Sequence, residues 1–453
     1  MASVKDLTQG QPGKVLIRYT LPLFFSVFFQ QLYNITDTAI AGKYVGEQAL
    51  AAIGASYAIT MLFMAVAVGS QIGVGVVLGN LFGRKDFMRV RSCMTTALIF
   101  GAVLSLLLTV TGIHGSAFLM QLVNTPADIF SEGERYLRIY TGGFVFVFMY
   151  NIITASFSSL GDSKTPLYLL MFSSLSNIVL DLLFVVVFKQ GVPGLAWATF
   201  IAQAAACIIA FILILRRINQ IPQSKGAVLF APKDLKDMVV MSIPAILQQS
   251  FISVGNLIIQ TFINPYGSAV IAGYTAAIKL NTFAITCFSN AGTGMSGFTA
   301  QNLGAGLPDR VREGFRAAMK MVCAIALGFT AMYLLGGNAL LRLFLNKESS
   351  ELALQTARNF MCITSPFFVI ICVKVLADGI LRGSGSMGFF MIATLVDLVM
   401  RVVLAWIFSQ FMGPTGIWMA WPLSWATATL LSMIFYHLGT WCKHIDMHSP
   451  TES

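Results

Sequence analysis

The chain has 453 residues, of which 57% are hydrophobic and only 11% charged. A soluble globular protein carries about 25% charged residues, so this composition excludes an ordinary soluble domain and leaves lipid to cover the apolar surface. The net charge of +10 would suit a polyanion-binding protein, but the basic residues gather in short clusters between apolar runs, which reads as membrane topology and not as nucleic-acid binding.

The apolar runs are long enough to cross a bilayer, for which ~20 helical residues suffice. Backbone in lipid must satisfy its own hydrogen bonds, so only helices or closed barrels can span. These runs are continuous and do not alternate, which predicts helices. In chain order, spans are predicted near 14–39, 50–79, 92–113, 134–159, 165–188, 194–216, 237–262, 269–301, 316–341, 355–381, 387–410 and 416–440. The polar N-terminus "MASVKDLTQG" is followed by no small-residue cleavage site, so the first span is read as retained.

Arg84, Lys85, Arg89 and Arg91 follow the second span, Lys164 the fourth, and Arg216, Arg217, Lys225, Lys233 and Lys236 the sixth. Arg310, Arg312 and Arg316 follow the eighth, and Arg382 the tenth. The opposite loops hold mainly Lys43, Lys189, Arg342 and Lys347. By the positive-inside rule the protein is expected in the cell (inner) membrane with both termini cytoplasmic. The seven cysteines and four histidines are scattered and form no ligand cluster, so the cysteines are read as small apolar packers. No nucleophile–base pair, metal cluster or phosphate loop suggests an enzyme, and no cofactor is expected.

The chain repeats itself. Asn80 in "GNLFGRKDFMRVRS" matches Asn302 in "QNLGAGLPDRVREG", and "GVPGLAWA" from 191 matches "GPTGIWMA" from 413. Gly161 with Gly383, Asn34 with Asn256, and Pro22 with Pro244 keep the same spacing of 222 positions. Such a repeat marks an internal duplication. Six spans per copy give both halves the same orientation, related by a pseudo-two-fold axis along the membrane normal. The fold is therefore expected to be an all-α polytopic membrane protein of twelve transmembrane helices in two six-helix lobes. The lobes are expected over 1–216 and 237–441, joined by a basic cytoplasmic linker 217–236 and followed by a tail 442–453. Prolines at the same repeat position, Pro22 and Pro244, are candidate helix bends.

Charges within spans usually face a cavity and carry function, because each costs roughly 2.5–3.5 kcal/mol at mid-bilayer. Asp397 and Arg401 stand four residues apart on one span, as do Lys374 and Asp378, so each pair can neutralise itself. Asn177 and Asp181 occupy the first-half counterparts of Asp397 and Arg401, 220 positions earlier. Asp181 has no cation on its own helix, and Asp37 has no intramembrane cation on its own, since Lys43 lies past its end. Two such carboxylates in one lobe would hold a proton or a small cation, with Asn and Thr oxygens beside them.

The residues "SSLGDSKTPLYLLMFSSLSNIVLDLLFV", "GVPGLAWATFIAQ", "YNITDTAIAGKYVGEQALAAIG" and "TAQNLGAG" resemble the multidrug and toxic compound extrusion (MATE) transporters. The resemblance covers nearly the whole chain and is closer to the bacterial and archaeal branch that includes the DNA-damage-inducible member. It implies a two-lobe exporter that exchanges amphipathic, often cationic, organic compounds for protons or sodium by alternating access, functional as a monomer in lipid. By motif it places the coupling-ion network on Asp37, Asn177, Asp181 and Thr199, with Tyr136 joining. Two departures stand out. The seventh span, "QQSFISVGNLIIQTF", lacks the acid that the other bacterial branch often has there. The arginine that many relatives carry before the Leu-Gly of "SFSSLGDSKTP" is also missing.

Met61, Met64, Phe283, Phe288 and Met295 on spans two and eight, with Gln30, Gln31, Gln248 and Gln249, are candidates for a substrate cavity, since Met and aromatic surfaces adapt to varied apolar ligands. The alternative reading is a lipid or polysaccharide-precursor flippase of the same superfamily. A flippase would need a markedly basic cavity, whereas only Lys279 offers a clear cation on the presumed cleft helices.

Overall fold

The computed structural model describes residues 6–45, 47–221, 227–342 and 350–442. Fourteen α-helices follow one another, with no strand among the described residues: α1 (Pro12–Ile40), α2 (Glu47–Gly83), α3 (Phe87–Leu122), α4 (Ala127–Gly142), α5 (Phe144–Ser159), α6 (Lys164–Asp181), α7 (Gly191–Gln220), α8 (Pro232–Ile263), α9 (Ser268–Gly304), α10 (Pro308–Leu341), α11 (Glu351–Thr364), α12 (Phe368–Gly383), α13 (Met387–Met412) and α14 (Pro414–His437). Among the described residues eleven spans are long and apolar enough to cross a membrane, and the bent pair α4–α5 makes up to twelve. The protein is an all-α, multi-pass membrane protein. The helices overrun the predicted spans. α3, for example, has 36 residues, far more than the ~20 that a bilayer needs.

The fourth span of each half is broken at the same repeat position. α4 and α5 meet at 43° across Gly143, and α11 and α12 are separated by the 3₁₀ turn Ser365–Phe367. Gly143 and Ser365 stand 222 positions apart. A Cβ on Gly143 would lie 2.8 Å from the Phe200 ring, so only glycine lets α7 approach this bend. Gly143→Val is expected to cost about 1–3 kcal/mol through overpacking. Thermal unfolding of the purified variant tests this, and an unchanged midpoint would show that Phe200 can move aside.

Among the described residues two compact units form, one from Asp6 with 21–250 and the other from 7–20 with 251–442. The division therefore runs through α1 and α8. Of the expected linker, residues 222–226 lie outside the described residues, as does the expected tail beyond Cys442. In the first unit the start of α8 packs on α2, where Gly73 leaves room for Ser242 and the Met238 carbonyl. In the second, the start of α1 packs on α9, where Gly294 leaves room for Thr20. Thr20 and Ser242 are 222 positions apart, so the two crossings are copies of one another. Arg89 pairs with buried Asp234 at 2.5 Å and fixes α8 to α3. In the second unit, Leu7 donates its backbone N–H to Gln301 Oε1 at 3.0 Å, and Arg310 Nε donates to Asn302 Oδ1 at 3.0 Å. α1 and α8 continue through Pro22 and Pro244 as helices.

Candidate functional site: a carboxylate pair in the first unit

Each carboxylate expected to carry the coupling ion lies in the last turn of a regular helix. Just beyond Asp37, α1 gives way to a π-helical stretch, Ala41–Val45. α6 ends at Asp181 itself and continues as the π-helical Leu182–Val187. π-helical turns widen the backbone and often sit at functional sites. Ile40 and Ala41 pack with Val185 and Leu195 of α7 in one small apolar cluster, which holds the two ends together.

Asp181 is wholly buried, and Asn177, one turn earlier, is 2% exposed. With its amide nitrogen toward Asp181, Asn177 donates to Asp181 Oδ2 at 2.7 Å, and its oxygen accepts from Thr199 Oγ1 at 3.2 Å and Thr199 N at 3.1 Å. Asp181 Oδ1 receives no donor. It belongs to a carboxyl that faces Asp37, within reach of a shared hydrogen bond. Tyr33 approaches Thr199 and lies beside Asp37. Tyr136 lies beside Tyr33, Asp37 and Asp181 and stacks on Tyr140 with centroids 6.3 Å apart. The structure thus brings Asp37, Asn177, Asp181, Thr199 and Tyr136 into one polar cluster within the first unit.

Two facing carboxyls in a space of low dielectric cannot both stay charged without compensation. One proton held between them, or one small cation, would complete the cluster. A cavity of about 50 Å³ opens on it, lined by Gln30 and Tyr33 of α1, Ser173, Ser174 and Asn177 of α6, and Thr199 and Gln203 of α7. That space admits water. Gln203 Oε1 is buried there without a donor. A larger cavity of the first unit, about 260 Å³, is apolar apart from Ser70 and Ser242 and is lined from α2, α3, α5 and α8 by residues that include no carboxylate.

Sequence reasoning missed Tyr33, Ser173, Ser174 and Gln203. The missing signal was spacing. Tyr33 stands four before Asp37, Ser173 four before Asn177, and Gln203 four after Thr199, so each extends a polar stripe on its helix.

The charged pairs of the second unit close on themselves, as their spacing predicts. Arg401 Nη2 donates to Asp397 Oδ2 at 2.7 Å, and Lys374 Nζ donates to Asp378 Oδ2 at 2.6 Å. Ser432 Oγ donates to Asp378 Oδ1 at 2.7 Å.

The substrate-cavity candidates scatter. Met61, Met64 and Gln31 are half-buried and Gln30 is exposed in the first unit, where Gln248 is buried and Gln249 half-buried. Phe283 is half-buried in the second unit. Phe288 and Met295 are corrected: they are 1% and 0% exposed and present no surface to a ligand. Phe288 is enclosed by Phe329 and Phe368, with centroids 5.6 and 5.5 Å away, and Met295 packs where Gly379 brings α12 onto α9.

The MatE family model matches residues 22–183 and 244–407. The chain is 27% identical over 443 residues to the probable multidrug resistance protein YpnP of Bacillus subtilis (strain 168), covering 96% of this chain and 97% of that one. It is 24% identical over 435 residues to the probable multidrug resistance protein YoeA of the same strain, covering 94% and 93%. Among solved structures, an outward-facing multidrug resistance MATE family transporter of the MOP superfamily superposes with a TM-score of 0.91 at 21% identity, covering 98% of this chain and 99% of that one.

Proposed function

The chain belongs to the MatE family, and from that premise we propose that it is a cation-coupled antiporter exporting amphipathic organic compounds by alternating access. The relatives named as multidrug resistance proteins support the substrate class. One observation carries the coupling: a wholly buried Asp181 with an oxygen lacking any donor, facing Asp37 and tied through Asn177 to Thr199.

In this reading the cluster holds a proton or a sodium ion on one side of the membrane and releases it on the other. A ligand shifts a conformational equilibrium only through its different affinity for the two states. Here that difference comes from whether the cavity beside Gln30 and Gln203 is open to the ion-rich or the ion-poor side. The π-helical ends beyond Asp37 and Asp181 are the segments that would answer first to filling of the cluster. Substrate would meet the half-buried and exposed candidates Gln30, Gln31, Met61, Met64, Gln249 and Phe283. No group other than the coupling ion is required, and one chain suffices. Dye efflux from proteoliposomes under separately imposed proton and sodium gradients tests the reading. Efflux driven by neither gradient would refute it.

The proposed location is the cell membrane with both termini cytoplasmic. Cysteines introduced near Arg84, Lys164, Arg310 and Arg382 are expected to be labelled by an impermeant reagent from the cytoplasmic side only. Labelling of any two from outside would reverse or break this topology.

A further inference from the structure

The two units differ at equivalent positions in an informative way. Asn177 corresponds to Asp397 and Asp181 to Arg401, 220 positions on, while Thr199 corresponds to Trp421, 222 positions on. In the first unit these positions leave a carboxylate oxygen without a donor. In the second, the Arg401 guanidinium binds Asp397 Oδ2 at 2.7 Å, donates through Nε to Ser424 Oγ at 3.4 Å, and lies 4.3 Å from the centre of the Trp421 ring.

We propose that the second unit contains a latent monovalent-cation site at Asp397, Ser424 and Trp421, kept filled by the tethered guanidinium of Arg401. The inference rests on the reading of the first unit as the ion-exchanging one. Three features support it. Asp397 and Arg401 are each 8% exposed, so the pair exchanges little with water. Asp397 Oδ1 is buried without a donor, so the carboxylate keeps an oxygen that Arg401 does not use. The Trp421 ring presents its face to the cation, the arrangement that a positive charge favours. Carboxylate and hydroxyl oxygens are also the hard ligands that suit a small cation once the guanidinium is gone.

The other charges on the neighbouring helices are engaged with partners of their own or exposed. On α12, Lys374 and Asp378 are bound to each other, and the Arg382 guanidinium lies over Phe390 at 5.3 Å. Glu351 and Arg358 on α11 and Lys279 on α9 are exposed. From α9, Tyr274 lies beside Arg401. The consequence is functional asymmetry: a duplicated fold exchanges an ion in one half only, because the other half carries its own cation covalently.

The test uses the full chain purified in detergent, with sodium ions as the probe and choline as the matched control. Asp37→Asn/Asp181→Asn removes the first-unit site, and sodium binding or proton uptake lost in that background supports the first-unit reading by itself. Adding Arg401→Asn to that background is expected to restore one bound sodium per chain, with a sodium-specific rise in unfolding temperature. Neither gain is expected from Arg401→Lys, which keeps a tethered cation, nor from Asp397→Asn/Arg401→Asn, which removes the carboxylate. Uptake of a proton in sodium-free buffer by the Arg401→Asn protein would assign the proton as the filler and equally support the site. Arg401→Gln, which keeps side-chain volume and a donor for Asp397, is measured in parallel in case Arg401→Asn does not fold. A folded Arg401→Asn or Arg401→Gln protein that gains neither sodium nor a proton overturns the proposal.

Discussion

Asp181→Asn, reconstituted in amounts of folded protein equal to wild type, is expected to lose gradient-driven efflux down to the level of empty vesicles. Its affinity for a transported dye is expected to stay within about threefold of wild type, a change of ~0.7 kcal/mol. The reason lies in the contacts. Asp181 is wholly buried and touches Asn177 and Asp37, so an amide fits its place while abolishing the charge that would hold the ion. Without that charge the ion has no different affinity for the two conformations and cannot drive one into the other. Asp37→Asn is expected to behave in the same way. If both variants pump at the wild-type rate under a gradient, coupling lies elsewhere, and Asp378 with Lys374 becomes the next place to look.

The second large effect is one of stability. Asp397→Asn leaves the Arg401 guanidinium buried without its carboxylate, and breaking a buried pair in this way costs about 3–5 kcal/mol. Replacing both partners by apolar residues of similar volume, Asp397→Leu with Arg401→Met, removes the unpaired charge and is expected to be much milder. Unfolding temperatures of the single and double variants decide the matter. A double variant as unstable as the single one would show that the pair does more than neutralise itself. A double variant that folds well but no longer transports would place the pair in the coupling machinery.

The membrane class of the fold was legible because hydropathy acts over whole segments, and the repeat because residues such as Asn80 and Asn302 keep one spacing. Asp37 and Asp181 were legible because a carboxylate in lipid needs a reason. Ser173, Tyr33 and Gln203 were not, since uncharged polar groups are common between packed membrane helices and mark no site by themselves. Phe288 and Met295 were misplaced for a related reason. A membrane helix is apolar toward both lipid and protein, so its pattern does not say which face is buried. The division of α1 and α8 between two units left no composition change to read, because each helix runs on uninterrupted. Nor does any residue type announce the π-helical ends beyond Asp37 and Asp181.

The most direct measurement records ion influx and dye efflux together in the same proteoliposomes, for wild type and for Asp37→Asn/Asp181→Asn, with proton and sodium gradients imposed one at a time. One of the two ions is expected to enter wild-type vesicles in fixed proportion to dye leaving, whereas the double variant shows neither flux while still binding dye. Coupled ion and dye fluxes persisting in the double variant would contradict that expectation.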